Sequence, residues 1–193
     1  ADVLRAVASS QGLQPVLDEI VAAARRLCRG DHSQLYLLAG DVLRLHAESV
    51  EDGPGSAAAR VGVHALDRTS VAGRTGLAHE VVQIPDVLED AEYSLSPHGP
   101  LRSRALLGVP ILHDDALVGV ITAGRGDPTP FTDEQVELVK TFAAQAAIAI
   151  ANARLIAAVE RQRTELSRFL SPQIAALVSS DAGEVLLAGH RAH

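Results

Sequence analysis

The chain has 193 residues, of which 47% are hydrophobic and 3% aromatic, and a formal net charge of −7. This length suits one domain with connecting helices, and the apolar fraction is sufficient for a core. No cluster of Lys and Arg is present, which argues against a nucleic-acid partner because phosphate backbones require concentrated positive charge. No apolar run approaches the length that spans a bilayer, so we expect no membrane partner.

The single cysteine, Cys28, excludes an internal disulfide and a cysteine-rich zinc site. It lies in an apolar helical pattern, which favours a packing role, and its isolation is typical of a reducing, cytoplasmic location. The first residue is Ala and no signal-peptide pattern follows it. We therefore expect the chain to be a piece of a longer cytoplasmic protein.

Hydrophobic periodicity predicts that the N-terminal third consists of helices followed by a hairpin. Apolar residues at spacings of three and four predict helices over 3–8 and 13–28. The period then shortens toward two, which predicts strands over 34–38 and 42–49, and a further short strand at 61–64.

In the middle of the chain, Ser70 is placed to cap a short helix over 71–80. The polar segment 86–103 is a long loop, and loops of this length in compact domains are usually functional or mobile. The remaining strands are predicted at 81–84, 105–112 and 117–123.

A capping box at Thr132 and Gln135 predicts the start of a long helix that runs to about residue 168. One apolar stripe consists of Val136, Val139, Ala143, Ala146, Ile150, Ala153 and Ala157. A second consists of Leu138, Phe142, Gln145, Ala149, Asn152, Ile156, Val159, Arg163, Leu166 and Leu170. We expect the first stripe to pack on the sheet.

The second stripe then needs a partner, most simply the same helix of a second copy in a homodimer. The predicted dimer seam consists of Phe142, Ala149, Asn152, Ile156, Val159, Leu166 and Leu170. The alternative is that this stripe packs against the N-terminal helix of the same chain.

The order of these elements, and several short words along them, resemble a GAF domain over residues 13–160. The words are PVLDEI (15–20), QIPDV (83–87), LGVPI (107–111), LVGVI (117–121) and PFTDE (130–134). The resemblance implies an α+β fold with a central antiparallel sheet of about six strands. It also implies terminal helices packed on one face and a ligand pocket on the other.

The same resemblance implies that segments 70–93 and 104–111 frame the pocket. The candidate pocket residues are Val71, Arg74, Thr75, Ile84, Asp86, Tyr93, Arg104, Leu106 and Val109.

The tail carries a second resemblance, because SRFLSPQIA (167–175) and LLAGHR (186–191) look like the connector before a class III nucleotidyl cyclase domain. The implied organisation is a helical lead-in over 1–12, a GAF domain over 13–160 and a connector over 161–193, with the catalytic domain missing. The implied function is a small-molecule-sensing and dimerisation module of an adenylate or guanylate cyclase. A purely structural dimerisation domain with a closed pocket is the alternative.

The identity of a ligand does not follow from the sequence. GAF domains that bind cyclic nucleotides often carry Asn-Lys after the last strand, where this chain has Arg125-Gly126, although Phe131 and the acidic pair at 133–134 are present. Related photoreceptors hold bilin through a pocket cysteine, and Cys28 lies on the first helix instead. GAF-type methionine sulfoxide reductases use cysteines that one helical cysteine does not supply, so we expect no catalytic residue.

Haem and metal ions are also expected to be absent. Haem needs an axial ligand, usually His, and a lone His is more often solvated. The candidates by residue type are His64, His79, His98 and His113. The acidic run 86–92 lacks the spacing and glycine of a calcium-binding EF-hand loop, so we expect a solvated loop in which Asp86 faces the pocket.

Overall fold

The computed structural model describes residues 12–51, 62–95 and 103–169, which contain three helices and six strands. In chain order the elements are α1 (Leu13–Leu27), β1 (His32–Ala39), β2 (Val42–Val50), β3 (Val63–Ala65), α2 (Val71–Ala78), β4 (Val82–Ile84), β5 (Ala105–His113), β6 (Ala116–Arg125) and α3 (Asp133–Phe169). The predicted helix over 3–8 and most of the tail lie outside the described residues.

The six strands form one sheet in the order β3-β2-β1-β6-β5-β4, and every neighbouring pair is antiparallel. The two hairpins meet at its centre, where β1 pairs with β6. Asp114 and Asp115 both have positive φ in the turn between β5 and β6, as a two-residue hairpin turn requires. The expected α+β fold with six antiparallel strands is confirmed.

Side chains alternate between the two faces of this sheet. On one face, which we call the α2 face, Tyr36, Leu43 and Val120 pack against Ala72 of α2. Residues of opposite parity, such as Leu35 and Ile121, are fully buried on the other face, which we call the terminal-helix face. The terminal helices α1 and α3 cover that face, as the sequence predicts.

Helix α1 buries one stripe, which consists of Leu13, Leu17, Ile20, Val21 and Ala24. Its polar side chains reach the neighbouring strand, since Arg25 Nε donates to Ser49 Oγ at 3.0 Å. The predicted helix therefore has the expected amphipathic arrangement, with the stripe turned to the sheet.

The capping box fixes the start of α3, as the sequence predicts. Gln135 N donates to Thr132 Oγ1 at 3.3 Å, and Thr132 N donates to Gln135 Oε1 at 3.1 Å. The first five members of the predicted sheet-packing stripe are buried, namely Val136, Val139, Ala143, Ala146 and Ile150. The described residues up to Ala153 form one compact unit, and a second unit begins at Arg154. The predicted domain boundary at 160 stays a prediction.

Candidate functional site

Four predicted pocket residues lie together on the α2 face. Val71, Ile84 and Leu106 form a buried apolar cluster with Val87, and half-buried Tyr93 packs against it. These residues come from α2, β4, β5 and the segment after β4. Because these elements are separated in the sequence, their contact has no local signal. Their side chains pack against one another. We call this group the α2 cluster.

The segment 86–93, which we call the strap, is held beside the α2 cluster by ion pairs. Arg74 on α2 makes a two-pronged contact with Asp90, with nitrogen–oxygen distances of 2.6 and 2.9 Å. Both side chains are largely buried, at 14% and 22% exposure. The Arg74 guanidinium holds the pKa of the Asp90 carboxyl down to about 2. Two-pronged Arg–carboxylate contacts fix orientation as well as charge.

A second ion pair joins the start of the strap to the start of β5. Arg104 Nε donates to Asp86 Oδ1 at 2.8 Å, and Arg104 Nη2 contacts Asp86 Oδ2. Asp86 also accepts from the backbone N–H of Leu88 at 3.0 Å. The contact with Arg104 lowers the pKa of the Asp86 carboxyl below its usual value.

The third pair lies at the surface, where Arg68 contacts Glu92 through two 2.7 Å bonds. The expectation of a solvated acidic loop is therefore wrong for Asp90 and Glu92, because each carboxylate is engaged by an arginine. Asp86, the expected exception, is buried and accepts from the Leu88 N–H. Ion pairing between residues 16 to 24 positions apart left no periodic trace in the sequence.

Two predicted pocket residues occupy different positions. Thr75 is fully buried in α2 against the backbone at Gly108, and its Oγ1 has no hydrogen-bond partner among the described residues. Val109 is fully buried, but strand alternation turns it to the terminal-helix face, away from Leu106 and Gly108. The placement of Val109 beside the pocket does not agree with this geometry.

A polar network that the sequence analysis missed also lies on the α2 face. Tyr36 Oη donates to Gln34 Oε1 at 2.9 Å, and His64 Nε2 lies 3.2 Å from the same hydroxyl. The Tyr36 and His64 rings meet edge to face with centroids 4.8 Å apart. Burial raises the pKa of Tyr36 and lowers the pKa of His64. Polar residues at alternate positions of a buried strand, as Gln34 and Tyr36 are, were the available signal.

These contacts bear on the haem candidates. The Nε2 atom of His64 is engaged by Tyr36, while His79 and His113 are exposed and His98 lies outside the described residues. Across residues 12–51, 62–95 and 103–169, no three His, Cys, Asp or Glu side chains come together in a way that could hold a metal ion.

Arg125 occupies the position where cyclic-nucleotide-binding GAF domains often carry Asn-Lys, and it has a structural role here. Its guanidinium lies 4.1 Å from the centroid of the Phe131 ring, and Nη2 donates to the Cys28 carbonyl at 2.7 Å. Cys28 itself is fully buried, and burial raises the pKa of its thiol to about 11. A buried, protonated thiol is a poor nucleophile, which agrees with a packing role.

An open groove of about 390 Å³ lies beside this junction, at the C-terminal end of α1 and the N-terminal end of α3. Its lining includes Leu27, Arg125, Pro130, Gln135 and Leu138. This groove is separate from the α2 cluster, since no predicted pocket residue lines it.

The far side of α3 exposes four large apolar side chains. Their exposed fractions are 61% for Ile148, 65% for Leu155, 58% for Ile156 and 63% for Val159. At 100° per residue these positions lie roughly opposite the buried stripe. We call this surface the outer face of α3.

The outer face differs from the predicted dimer seam at several positions. Phe142 and Ala149 are half-buried, whereas Ile148 and Leu155, which the sequence analysis assigned to neither stripe, are exposed. Asn152, Ile156 and Val159 are exposed as predicted. The side chain of Leu166 and the whole of Leu170 lie outside the described residues.

One helix among the described residues is long and apolar enough to cross a membrane by length and composition alone. It spans Asp133–Glu165 of α3, with a mean hydropathy of 1.6 over its best window. The expectation that no apolar run approaches this length is therefore wrong. Only 22% of that window is buried, although the helix contributes a buried stripe to the core.

Comparison with known proteins gives both a family match and relatives. A family model described as "GAF domain" matches residues 12–150. Two curated relatives are the anaerobic nitric oxide reductase transcription regulators NorR of Aeromonas salmonicida and Aeromonas hydrophila. The first is 36% identical to this chain over 91 residues, and the second is 36% identical over 94 residues. Each match covers 46% of this chain, and the chain spans only 18% of the length of these relatives.

Several solved structures share the fold at low identity. The GAF domain of a phosphoenolpyruvate-protein phosphotransferase from Coxiella burnetii is 20% identical with a TM-score of 0.65, over 81% of this chain and 93% of that one. Free methionine-R-sulfoxide reductase from Neisseria meningitidis is 17% identical with a TM-score of 0.63, over 80% and 87%. At such identities the likeness concerns the fold alone, which is shared here by a domain of a phosphotransferase and by a reductase.

Proposed function

From the premise that this chain belongs to the GAF domain family, we propose that it is the cytoplasmic, ligand-sensing domain of a larger signalling protein. The regulatory, sensory role is that of the family. The finer proposals concern where a ligand binds, how copies of the chain associate and what output they control.

We place the ligand site at the α2 cluster beneath the strap. The observation that carries this proposal is that arginine–carboxylate pairs hold the strap, while the cluster under it is apolar. Of these pairs, Arg68–Glu92 lies at the surface and contributes little net stability, whereas separating the largely buried Arg74 and Asp90 is costly. A ligand that moves the strap must therefore either leave the Arg74–Asp90 pair intact or compensate for its loss. The Tyr36–His64 network provides hydrogen-bonding groups on the same face.

The output is proposed to act through a homodimer in which the outer faces of two α3 helices pack together. The exposed Asn152 between apolar neighbours supports this, because one buried Asn in a helix pair selects the register and a dimer. A ligand then acts by its differential affinity for two arrangements of the helix pair. Catalysis by this chain itself is not proposed, since its only cysteine is buried with a raised pKa.

For the parent protein we propose a class III nucleotidyl cyclase, on the resemblance of the tail. That tail lies largely outside the described residues. The 36% identity to NorR proteins supports a second candidate, a transcription regulator. The assay of the longer protein separates them: formation of cyclic nucleotide from ATP or GTP supports the cyclase, whereas sequence-specific DNA binding without cyclisation supports the regulator.

A structural dimerisation domain without a ligand is the competing function, favoured by the observation that Val71, Ile84 and Leu106 are buried and packed against one another. A thermal-shift screen of metabolites decides between the two. A ligand at about 100 times its dissociation constant stabilises the fold by about 2.7 kcal/mol.

The screen has a matched pair of variants. Leu106→Trp fills the cluster further from β5, whereas Leu77→Trp adds the same side chain at an exposed position of α2. We expect hits that are lost only in Leu106→Trp. No hit at all, or hits that survive in Leu106→Trp, would contradict a ligand site at the α2 cluster.

A further inference from the structure

We propose that Arg104 is the mechanical link between the strap and the first turn of α3, through Arg125 and Gln135. This inference rests on the proposed sensory function, since it says how a strap movement would reach the helix. Its contacts, however, are features of the chain alone and need no ligand to be tested.

Arg104 is bonded to both the strap and the end of β6. Its side chain contacts the Asp86 carboxylate, and its carbonyl accepts from the N–H of Val87 at 2.8 Å. Its own N–H donates to the carbonyl of Arg125 at 2.8 Å. The first two strap residues and the last residue of β6 are therefore bonded to this one residue.

Arg125 continues the connection to both terminal helices. Its Nη2 donates to the carbonyl of Cys28, after the end of α1, and to Gln135 Oε1 on α3 at 3.2 Å. The same Gln135 oxygen accepts from Thr132 N, and Gln135 Nε2 donates to the Cys28 carbonyl at 3.1 Å. Gln135, one of the two capping-box residues of α3, is thus bonded both to the start of the helix and to Arg125.

A second contact runs beside the first. Gln83 on β4 accepts a 3.2 Å hydrogen bond at Oε1 from the N–H of Phe131, whose ring lies under the Arg125 guanidinium. Gln83 is adjacent to Ile84 of the α2 cluster. The cluster therefore connects to Phe131 and the strap to Arg125, and these two side chains contact each other.

The physical reason to expect transmission is the burial of Arg125, which is 8% exposed. Separating a buried charge from its partners is costly, so Arg125 does not absorb a displacement by moving into solvent. A shift of the strap that pulls on Arg104 is then passed to Cys28 and Gln135. Such a chain of hydrogen bonds couples two sites only if a change at one end shifts the conformation at the other. The test is therefore to perturb the strap and to measure the response at the start of α3.

Hydrogen exchange of the full chain tests this directly. Asp86→Asn weakens the Arg104 contact, and Glu92→Gln is the matched control because it weakens an ion pair of the same strap that has no bond to Arg104. We expect Asp86→Asn to accelerate exchange of the α3 amides at 136–138 by about fivefold or more, and Glu92→Gln by less than about twofold.

Exchange in the centre of β1, at 35–37, must stay unchanged to show that the fold is intact. Arg104→Lys provides an independent variant, since lysine keeps the charge but loses the two-pronged contact, and it should produce the same acceleration. Equal effects of Asp86→Asn and Glu92→Gln, or no effect of either Asp86→Asn or Arg104→Lys in an intact fold, would overturn the link. Failure of the metabolite screen alone would leave the link standing and remove only the ligand.

Discussion

The outer face of α3 makes a quantitative prediction for Leu155→Asp. Leu155 is 65% exposed, so most of its apolar surface is still available for burial against a second copy. Full burial of a leucine is worth about 1.5–3 kcal/mol, and a symmetric dimer loses the contact twice. Loss of about 2–4 kcal/mol raises the dimer dissociation constant roughly 30- to 1,000-fold. Desolvation of two carboxylates adds to this.

The assay is sedimentation velocity over a concentration series. Leu77→Asp is the control, because it places the same charge at a similarly exposed leucine on α2. Ile156→Asp and Val159→Asp should weaken the dimer as Leu155→Asp does, with unchanged circular dichroism, since none of the three is in the core. A wild-type chain that remains a monomer, or a dimer indifferent to all three variants, would refute the reasoning.

Three further predictions concern the described core. Gly108→Ala should destabilise the fold by about 1–3 kcal/mol in urea, because its Cβ collides with Thr75 Oγ1, and adding Thr75→Ala should recover part of the loss. Burial lowers the pKa of His32 from 6.5 to about 4, so on acidification the unfolded chain takes up this proton before the folded chain does. The free energy of unfolding therefore decreases as the pH falls from about 6.5 to 4, by up to about 1.4 kcal/mol per pH unit. His32→Gln should flatten that part of the stability profile. Cys28, buried with its pKa near 11, should react with a thiol reagent only after denaturation, and rapid native labelling would contradict its placement.

The elements of the fold were predictable because each is encoded locally. The Ser70 and Thr132 caps and the change of apolar period from about 3.6 to 2 placed the helices and strands within a few residues. The pairing of the central β1 with β6, between segments more than 80 residues apart, has no local signal. This pairing was not predicted from the sequence.

The site was predictable only in part, for a physical reason. Val71, Ile84 and Leu106 were identified as apolar residues of the right segments, and they do meet. The partners of Arg74 and Arg104 were not identified, because an ion pair across a loop imposes no spacing on the sequence. The outer face of α3 differs from the predicted seam because the seam was chosen by apolar spacing alone. That spacing does not show which apolar side chains of the helix are already buried within the same domain.

A distance between two copies of α3 tests the central claim, that the outer faces of two α3 helices pack together; we propose a parallel pair, since both helices then lead toward the output domain. We suggest a nitroxide label at Glu165→Cys in a Cys28→Ala background, measured by pulsed electron paramagnetic resonance. A parallel pair with axes 8–10 Å apart predicts a single label separation below about 25 Å. An antiparallel pair centred near residue 153 would instead separate the labels by about 35 Å along the axis; that distance, or the absence of any dipolar coupling, would contradict the account.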